Sequence, residues 1–201
     1  MKRCLVLYVL VLCTVSIQAQ ESVPREDSLK ASIAAWFSLE KPENAPFTID
    51  ADIKAPSVLK AGERGALIIP ETKLADAIKK AGHEASPLGY LWLKGLSPEI
   101  DGKPVPSSKV RTSTIKTGER EIILPLYLLG IRKTPQDGLE LLIFGRDREP
   151  LRAIPLKKTL GKQDLPIELS AVKNNDETAD LVLNVVGEFQ ARISVIKSAA
   201  E

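Results

Sequence analysis

The sequence predicts a mainly β protein, an antiparallel β-sandwich with an N-terminal helix and one further short helix. Short apolar runs recur between clusters of Gly, Pro, Asn and Asp over most of the chain, and this pattern is typical of a sandwich or a barrel. After residue 82 the runs do not alternate with helical patterns, which argues against a parallel α/β sheet. Pro125, Pro155 and Pro166 fall within strand patterns. Proline marks strand edges and starts, so a sandwich is favoured over a closed barrel.

The first helix is predicted near the N-terminus. Four apolar residues recur at helical spacing and are expected to share one face: Leu29, Ile33, Trp36 and Phe37. Asp27 or Ser28 is expected to cap this helix. Residues 40–46 contain two prolines and are interpreted as a linker, so the helix is expected to pack as an arm across the main body.

A second, shorter helix is predicted between two strands. Pro70 is expected to open it, because proline is well tolerated in the first turn of a helix. Its apolar face is formed by Leu74, Ala77, Ile78 and Ala81. Gly82 follows where a left-handed C-cap is expected.

The remaining apolar runs predict strands. Phe47 to Lys54 alternates apolar and polar residues, which predicts a half-exposed strand, and residues 61–65 predict a hairpin turn. Further strands are predicted at 88–94, 110–116, 121–129, 139–144, 151–156, 165–172, 179–186 and 189–196. A secreted sandwich of this kind resembles the immunoglobulin-like modules of cell envelopes in architecture, and that resemblance implies a fold but no activity.

The N-terminal segment predicts export. Lys2 and Arg3 precede an apolar run from Cys4 to Val15, with cleavage expected after Ala19. The run is too short to span a bilayer, and no later stretch is long and apolar enough. The chain therefore divides into a signal peptide at 1–19, a helix and linker at 20–46, and a single β-rich domain at 47–201. The mature protein is expected to be secreted or periplasmic, without a transmembrane span.

Removal of the signal peptide changes the composition. Cys4 and Cys13 leave with it, so the mature chain is expected to hold no disulfide. Lys2 and Arg3 also leave, and 28 basic against 26 acidic residues become 26 of each. A near-neutral chain lacks the basic footprint of nucleic-acid-binding proteins. An exported chain without cysteine fits a bacterial envelope better than a eukaryotic secretory pathway.

No catalytic or metal site is predicted, and no cofactor is expected. Residues 57–60 match S-x-x-K, but this serine lies in a strand pattern and does not open a buried helix. His83 is the only histidine, so partners for a zinc site are missing. Carboxyl groups such as Asp50 and Asp52 are expected on solvated faces and not in an apolar catalytic site.

One candidate binding surface is aromatic. Tyr90 and Trp92 project from the same face of a predicted strand. If exposed, they would stack on a sugar ring or anchor a partner protein. If covered, they would form core beneath the N-terminal helix and Trp36. A strand that is apolar on both faces is usually buried on both, which favours the covered arrangement.

The second candidate surface is basic. Eight basic residues lie within 31 positions: Arg132, Lys133, Arg146, Arg148, Arg152, Lys157, Lys158 and Lys162. Their turns are expected to meet at one end of the sandwich, where they would engage anionic lipid headgroups, an acidic glycan or an acidic partner. The candidate binding residues within this set are Arg132, Lys133, Lys157 and Lys158. Interspersed acids keep a merely solvated surface open as the alternative.

Taken together, these features favour an exported, non-catalytic binding or interaction module of the bacterial envelope or exterior. Its expected partner is an envelope protein, a glycan or an anionic surface, and nucleic acid is not expected. Two alternatives stay open. One is a glycan- or peptidoglycan-directed hydrolase that uses a carboxylate pair, and the other is a carrier that holds an apolar ligand inside the β body.

Overall fold

The computed structural model describes residues 21–40, 42–117 and 120–198. The predicted signal peptide, including both cysteines, lies outside these ranges. The described part contains the helices α1 (Arg25–Phe37) and α2 (Leu74–Lys79) and a 3₁₀ turn at Ser107–Lys109. Its strands are β1 (Glu21–Ser22), β2 (Ser57–Ala61), β3 (Arg64–Pro70), β4 (Ser86–Lys94), β5 (Leu96–Ile100), β6 (Lys103–Pro104), β7 (Arg111–Thr117), β8 (Arg120–Lys133), β9 (Leu139–Phe144), β10 (Pro150–Lys158), β11 (Ile167–Lys173), β12 (Thr178–Val185) and β13 (Phe189–Lys197).

The strands pair antiparallel in the order β1-β2-β3-β4-β8-β9-β10-β13-β12-β11, as the predicted mainly β fold requires. β10 joins the two layers, because most of it pairs with β9 while Lys157 and Lys158 pair with β13. Among the described strands, β7 pairs with β8 alone, and β5 pairs with β13 and β6. At the two ends of the order, the Leu169 N–H of β11 donates to Ser57 Oγ of β2 over 2.9 Å. The sheet therefore folds back into a nearly closed, barrel-like sandwich.

The main core lies between the two layers. Alternate residues along each strand face it, which is why the apolar residues recur with a period of two in much of the sequence. Six of the side chains without exposed surface are Leu91, Leu93, Leu129, Ile131, Leu183 and Ile193. The sandwich prediction is confirmed because these residues come from both layers.

The outer face of the first layer is covered as well. α1 and the segment that follows it lie across β3, β4, β8 and β9. The Trp36 ring lies 6.3 Å from Tyr90, and Tyr90 lies 5.7 Å from Trp92. Phe47 meets Phe144 edge to face at 5.4 Å. Burial on both faces explains why β4 has a nearly continuous apolar sequence.

The face of α1 that contacts the sheet is not the predicted one. Its buried residues are Ser28, Ser32 and Ala35, whereas Ile33 and Phe37 are 44% and 81% exposed. Small side chains let the helix approach the sheet closely. Ser32 also donates its hydroxyl to a backbone carbonyl of the covering segment over 2.8 Å. The predicted apolar face is therefore wrong for Ile33 and Phe37, whereas Trp36 of the same face does pack against the sheet.

The predicted helix boundaries also need correction. α1 begins directly after Pro24, so neither Asp27 nor Ser28 caps it. Pro70 is the last residue of β3 and does not open α2. Gly82 is not among the residues with left-handed backbone. Its carbonyl instead accepts a hydrogen bond from the N–H of Lys133, so contact with β8 replaces the predicted cap.

The segment Phe47 to Lys54 is not a strand. An isolated bridge joins Ala51 to Glu71, and the Glu71 carboxylate accepts the Asp50 N–H over 2.8 Å. Ile49 is buried against the outer face of the sheet. The alternation of apolar and polar residues therefore reflects packing onto a sheet and not pairing within one.

Most other predicted elements are confirmed. β2 and β3 form the predicted hairpin, and Gly62 in its turn has a φ of +60°, which favours glycine. The eight strands predicted between residues 88 and 196 are all present, although β8 continues four residues beyond its predicted end at 129. β5 was not predicted, because Gly95 and Pro98 interrupt the strand pattern there.

Candidate functional site

The structure buries the predicted aromatic pair. Tyr90 and Trp92 lie on the outer face of β4 beneath α1 and are 6% and 1% exposed. Burial raises the pKa of Tyr90, and the charge of Glu71 raises it further. The covered arrangement beneath the N-terminal helix and Trp36, which the sequence favoured, is therefore the one observed, and Tyr90 and Trp92 do not form an exposed stacking surface.

The four selected basic residues do lie at one end of the sandwich. Arg132 and Lys133 end β8, Lys157 and Lys158 end β10, and β9 begins between them. Neighbouring residues of a strand point to opposite faces, so each of these two pairs is split between both sides of the sheet. Arg132 Nε lies 2.5 Å from Glu140 Oε1, which compensates one of the four charges. The group forms a dispersed basic end and not a pocket.

The other basic residues are placed differently. Arg146 and Arg148 lie in the turn between β9 and β10, at the opposite end of β9 from Lys133. β9 has six residues, and at about 3.3 Å per residue it separates the two ends by roughly 20 Å. The eight basic residues therefore do not meet at one end, and that prediction is wrong.

A cleft that the sequence did not predict lies beside β7. β7 pairs with β8 on one side, and residues 37–40 and 42–44 pass along its other side. The cavity between them has a volume of about 910 Å³. Binding sites for small ligands usually measure about 300–1,000 Å³, so this cleft is large enough to hold one.

Contacts at both ends hold this segment to β7. Near the end of β7, the Lys116 N–H donates to Ser38 Oγ over 3.2 Å. Near its beginning, the Arg111 guanidinium donates to the carbonyls of Glu43 and Asn44. Between these two contacts, the middle of β7 borders the open cleft.

Arg111 is the organising residue of the cleft. It is 8% exposed, and it also donates to the carbonyls of Gly145 and Arg146. A buried guanidinium needs partners for its N–H groups, and four backbone carbonyls accept from it here. Burial lowers the pKa of Arg111, the charge of Arg146 lowers it further, and Asp147 acts in the opposite direction. One side chain thus joins the start of β7, the end of β9 and the segment across the cleft.

Gly145 makes this arrangement possible. A Cβ at this position would lie 2.1 Å from the Lys109 carbonyl oxygen and 2.8 Å from Leu151 Cδ1. The absence of a side chain lets the two backbones approach, and the Arg146 N–H donates to the Lys109 carbonyl over 2.8 Å. The beginning of β7 is therefore anchored to the turn after β9.

The middle of β7 presents hydrogen-bonding groups to the cleft. The Lys116 N–H points at Ser38 and so away from β8. In an antiparallel ladder this direction repeats at every second residue, which turns the backbone groups of Thr112 and Thr114 to the same outer side. Ser113 Oγ is buried at the cleft and has no hydrogen-bond partner among the described residues. An unpaired buried hydroxyl costs about 1–3 kcal/mol.

A second, smaller cavity is an apolar groove along α1. It has a volume of about 310 Å³ and is bordered by Ala31 and Ala34 of the helix. Val58 and Leu67 of the β2–β3 hairpin and Trp92 of β4 also line it. Because Trp92 reaches this groove from beneath α1, the buried aromatic pair keeps one contact with a cavity.

The two cavities offer binding groups more clearly than catalytic ones. Glu40 and Glu43 line the cleft but are exposed, whereas the acid of a glycosidase has its pKa raised by an apolar environment. In the ranges that the structure describes, no cluster of three or more His, Cys, Asp or Glu could hold a metal ion. Neither α1 nor α2 has the length and apolar character that crossing a bilayer demands.

Sequence reasoning identified β7 as a strand but missed its edge position and the role of Arg111. Strand pairing between distant segments creates both. One local signal was available, because Ile115 is the only apolar residue within Arg111–Thr117, and a strand without an apolar pattern is a poor candidate for the centre of a sheet.

Comparison with models of known protein families, with curated protein sequences and with solved structures finds no match for this chain. The resemblance to immunoglobulin-like modules therefore remains one of architecture, which carries no function by itself. Functional reasoning has to start from the cleft, the groove and the basic end.

Proposed function

We propose that this protein is an exported, non-catalytic binding module of the bacterial envelope or exterior. Its partner would be an envelope protein, an extended segment of which lies in the cleft beside β7. The observation that carries the proposal is the free edge of this seven-residue strand next to a cavity of about 910 Å³. Peptides commonly bind by adding a strand to such an edge, with affinity from main-chain hydrogen bonds.

The middle of the β7 edge borders the cleft, while contacts with the segment at 37–44 cover both ends of the strand. Proteins usually protect edge strands with lysine, proline, bulges or a covering segment. Here Lys116 and its contact with Ser38 protect the end of the strand, while Thr112 and Thr114 border the cleft. The edges of β2 and β11, in contrast, lie against each other across the Ser57–Leu169 hydrogen bond. An incoming strand would therefore find its most accessible partner in the middle of β7.

The cleft side chains indicate what kind of segment would fit. Phe37 is 81% exposed and lines the cleft at the end of α1, so it offers an apolar contact. Arg146 is exposed at the opposite end, next to the buried Arg111. A segment with an apolar residue for Phe37 and an acidic residue for Arg146 would complement both.

The other candidate surfaces have weaker support. At the basic end, Arg132 is already paired with Glu140, and isolated exposed charges contribute little to binding. An anionic surface therefore remains a possible second contact and not the main site. A hydrolase would need an acid of raised pKa in the cleft, and Glu40 and Glu43 are exposed there.

A peptide-display experiment tests the proposal. The purified protein selects from a library of random peptides long enough to span β7, and the affinities of selected peptides are measured by calorimetry. Thr114→Pro removes an N–H that faces the cleft, so we expect binding to weaken about tenfold or more. Thr114→Val is the matched control, because it keeps the N–H, and it should bind like the wild type.

A change in the peptide gives a second test that leaves the protein unaltered. Two versions of a selected peptide are compared, with methyl groups on the backbone nitrogens of either the odd or the even residues. Only alternate residues of the peptide face the β7 edge, so one version should bind more weakly and the other should bind like the unmethylated peptide. Unfolding midpoints of both Thr114 variants show that they are folded. A library without enrichment, or equal binding by the proline and valine variants, would show that β7 is not the site.

A further inference from the structure

The cleft beside β7 is closed more firmly at one end than at the other. Where β7 begins, the buried Arg111 guanidinium donates to the carbonyls of Glu43 and Asn44 and holds the segment against the strand. Where β7 ends, one exposed hydrogen bond joins the Lys116 N–H to Ser38 Oγ. Hydrogen bonds from a charged group are stronger than those between neutral groups. A chain bound along this edge therefore leaves the cleft past Ser38 and ends before Arg111.

The direction of such a chain follows from strand pairing. β7 already pairs antiparallel with β8, and antiparallel pairing is slightly more stable per residue than parallel pairing. An antiparallel chain on the other edge of β7 has its N-terminal part near Lys116 and its C-terminal part near Arg111. Because the chain ends before Arg111, the group that it brings there is its own terminal carboxylate.

The charges at the beginning of β7 suit a carboxylate. Arg111, Arg146 and Glu43 line this end of the cleft, so two positive charges face one negative charge. The other charged residues of the two adjoining turns balance one another and do not line the cleft: Lys109, Asp147, Arg148 and Glu149. The lining at this end therefore has an excess of one positive charge.

The opposite end of the cleft has the opposite charge. Lys116 and Glu40 line it, but Lys116 Nζ already lies 3.2 Å from Glu121 Oε1. Glu40 has no ion-pair partner within the part of the chain that the structure describes. A bound chain with its carboxylate at Arg146 and its amino-terminal side at Glu40 would match both ends, and such complementarity selects one orientation.

Both arginines keep hydrogen-bond donors for a ligand. The Arg111 guanidinium has five N–H groups. Nε donates to the Gly145 carbonyl, Nη2 donates to the carbonyls of Asn44 and Arg146, and Nη1 donates to the Glu43 carbonyl. One Nη1–H thus has no acceptor among the described residues. The exposed Arg146 guanidinium has no hydrogen bond or ion pair to them, so a carboxylate can accept from both side chains.

We propose that the cleft binds the free C-terminal end of a partner protein, paired antiparallel with β7, with the terminal carboxylate between Arg111 and Arg146. This inference rests on the proposed function, because it names the part of the partner that enters the cleft. Main-chain hydrogen bonds to β7 would supply affinity for many sequences, and the carboxylate would fix the register of the added strand.

A matched pair of peptides tests the carboxylate. The purified protein selects from a synthetic library of random peptides with free C-termini, and the tightest binder is then remade as its C-terminal amide. The amide should bind about tenfold or more weakly in calorimetry, as expected for the loss of a hydrogen bond to a charged group. Equal affinities of the acid and the amide would overturn the proposal.

Extension of the same peptide tests its direction. Glycines added after its last residue move the carboxylate away from Arg146 and meet the closed end of the cleft, so binding should weaken about tenfold or more. Glycines added before its first residue leave the cleft past Ser38 and should not change the affinity. The reverse result would mean that the chain runs parallel to β7, which would also overturn the proposal.

Variants of the turn after β9 test the protein side. Arg146→Gln removes the guanidinium and keeps the backbone N–H and carbonyl that hold the turn, so the preference for the acid over the amide should largely disappear. Arg148→Gln is the matched control, because Arg148 is exposed in the same turn and does not line the cleft. It should keep the full preference. An undiminished preference in Arg146→Gln would contradict the assignment of this residue.

Two outcomes separate this inference from the function on which it rests. If the acid and the amide bind equally and both lose affinity in Thr114→Pro, the edge of β7 binds peptides and the assignment of the chain end is wrong. If no peptide of the library binds, the proposed function and this inference are both wrong.

Discussion

Two buried polar residues, Arg111 and Tyr127, meet the cost of burial in different ways. Arg111 donates to four backbone carbonyls and thereby joins three segments around the cleft. Tyr127 lies in the main core without exposed surface, and its hydroxyl has no hydrogen-bond partner among the described residues. Burial raises the pKa of Tyr127 to about 12, although the nearby Ser97 hydroxyl acts in the opposite direction. The contacts of Arg111 hold three segments together, whereas burial of the Tyr127 hydroxyl makes the free energy of unfolding depend on pH.

The free energy of unfolding should therefore fall in strong alkali. Folded Tyr127 keeps its proton above pH 10, where the tyrosine of the unfolded chain loses it. The contribution of Tyr127 to the free energy of unfolding is fully present below the pKa of tyrosine in the unfolded chain, about 10. It is lost as pH rises toward the folded value of about 12. Two pKa units correspond to about 2–3 kcal/mol. In urea unfolding, the free energy of unfolding of Tyr127→Phe should fall in strong alkali by about that much less than the free energy of unfolding of the wild type.

At neutral pH the same variant should be as stable as the wild type or more stable, by up to about 1–3 kcal/mol, because it removes a buried hydroxyl that has no partner among the described residues. Equal alkaline losses in Tyr127→Phe and the wild type would contradict the assignment of the raised pKa to this residue.

In α1, packing against the sheet decides which face of the helix is buried, and the apolar pattern of its sequence does not. Its apolar residues recur at helical spacing, yet the buried side consists of Ser28, Ser32 and Ala35. Close approach requires small side chains, and the Ser32 hydroxyl gains a carbonyl partner of its own. The apolar residues left outside, Ile33 and Phe37, are not part of the core. Phe37 instead borders the cleft.

Substitutions on the two sides of α1 test this arrangement. Ala35 is fully buried, so Ala35→Leu should overpack the contact and destabilise by about 1–3 kcal/mol. Ile33→Glu on the exposed side should change the free energy of unfolding by no more than about 0.5 kcal/mol. Urea unfolding curves measure both. The opposite ranking would mean that the apolar face predicted from the sequence is the buried one.

β8 connects the element scale to the site. Its first half pairs with β7, and its second half pairs with β4 and β9. Pro125 lies in the first half, just outside the part of β8 that pairs with β4, which ends at Leu126. The missing N–H of Pro125 therefore costs no hydrogen bond to β4. The prediction that this proline marks an edge thus agrees with its position, and the same change of partners leaves β7 at the border of the sheet.

At the scale of the whole molecule, the body is a nearly closed sandwich. The described residues contain no cysteine, so packing and hydrogen bonding hold it together. The basic residues are divided between the two ends of β9, and the cleft and the groove both border α1. The surfaces available for binding therefore lie around the helix and at the ends of the sheet, outside the main core.

Export is a property of the whole chain, and it can be measured directly. If the proposed export is right, protein recovered outside the cytoplasm of the producing cells should lack residues 1–19, because Lys2, Arg3 and the apolar run match the pattern of an export signal. Intact-mass spectrometry checks this. Ala19→Phe replaces the small residue expected before the cleavage point, so this variant should retain residues 1–19. A full-length wild-type chain confined to the cytoplasm would contradict the proposal.

The local features of the fold were predictable from the sequence. β4, the strands from β7 to β13 and the β2–β3 hairpin follow from apolar runs and turn residues that act within a few positions of each other. The candidate site was not predictable to the same degree. Tyr90 and Trp92 were selected for their residue types, but whether a helix covers them depends on residues more than fifty positions away in the chain.

The sequence by itself determined the mainly β class and the positions of most strands, and it predicts an export signal at the N-terminus. Tertiary structure alone decided which face of α1 is buried, which strand lies at an edge, and where Arg111 finds its carbonyls. The physical reason is the range of the interactions. Propensity and periodicity act between neighbours along the chain, whereas edges, clefts and unpaired buried groups arise where distant segments meet.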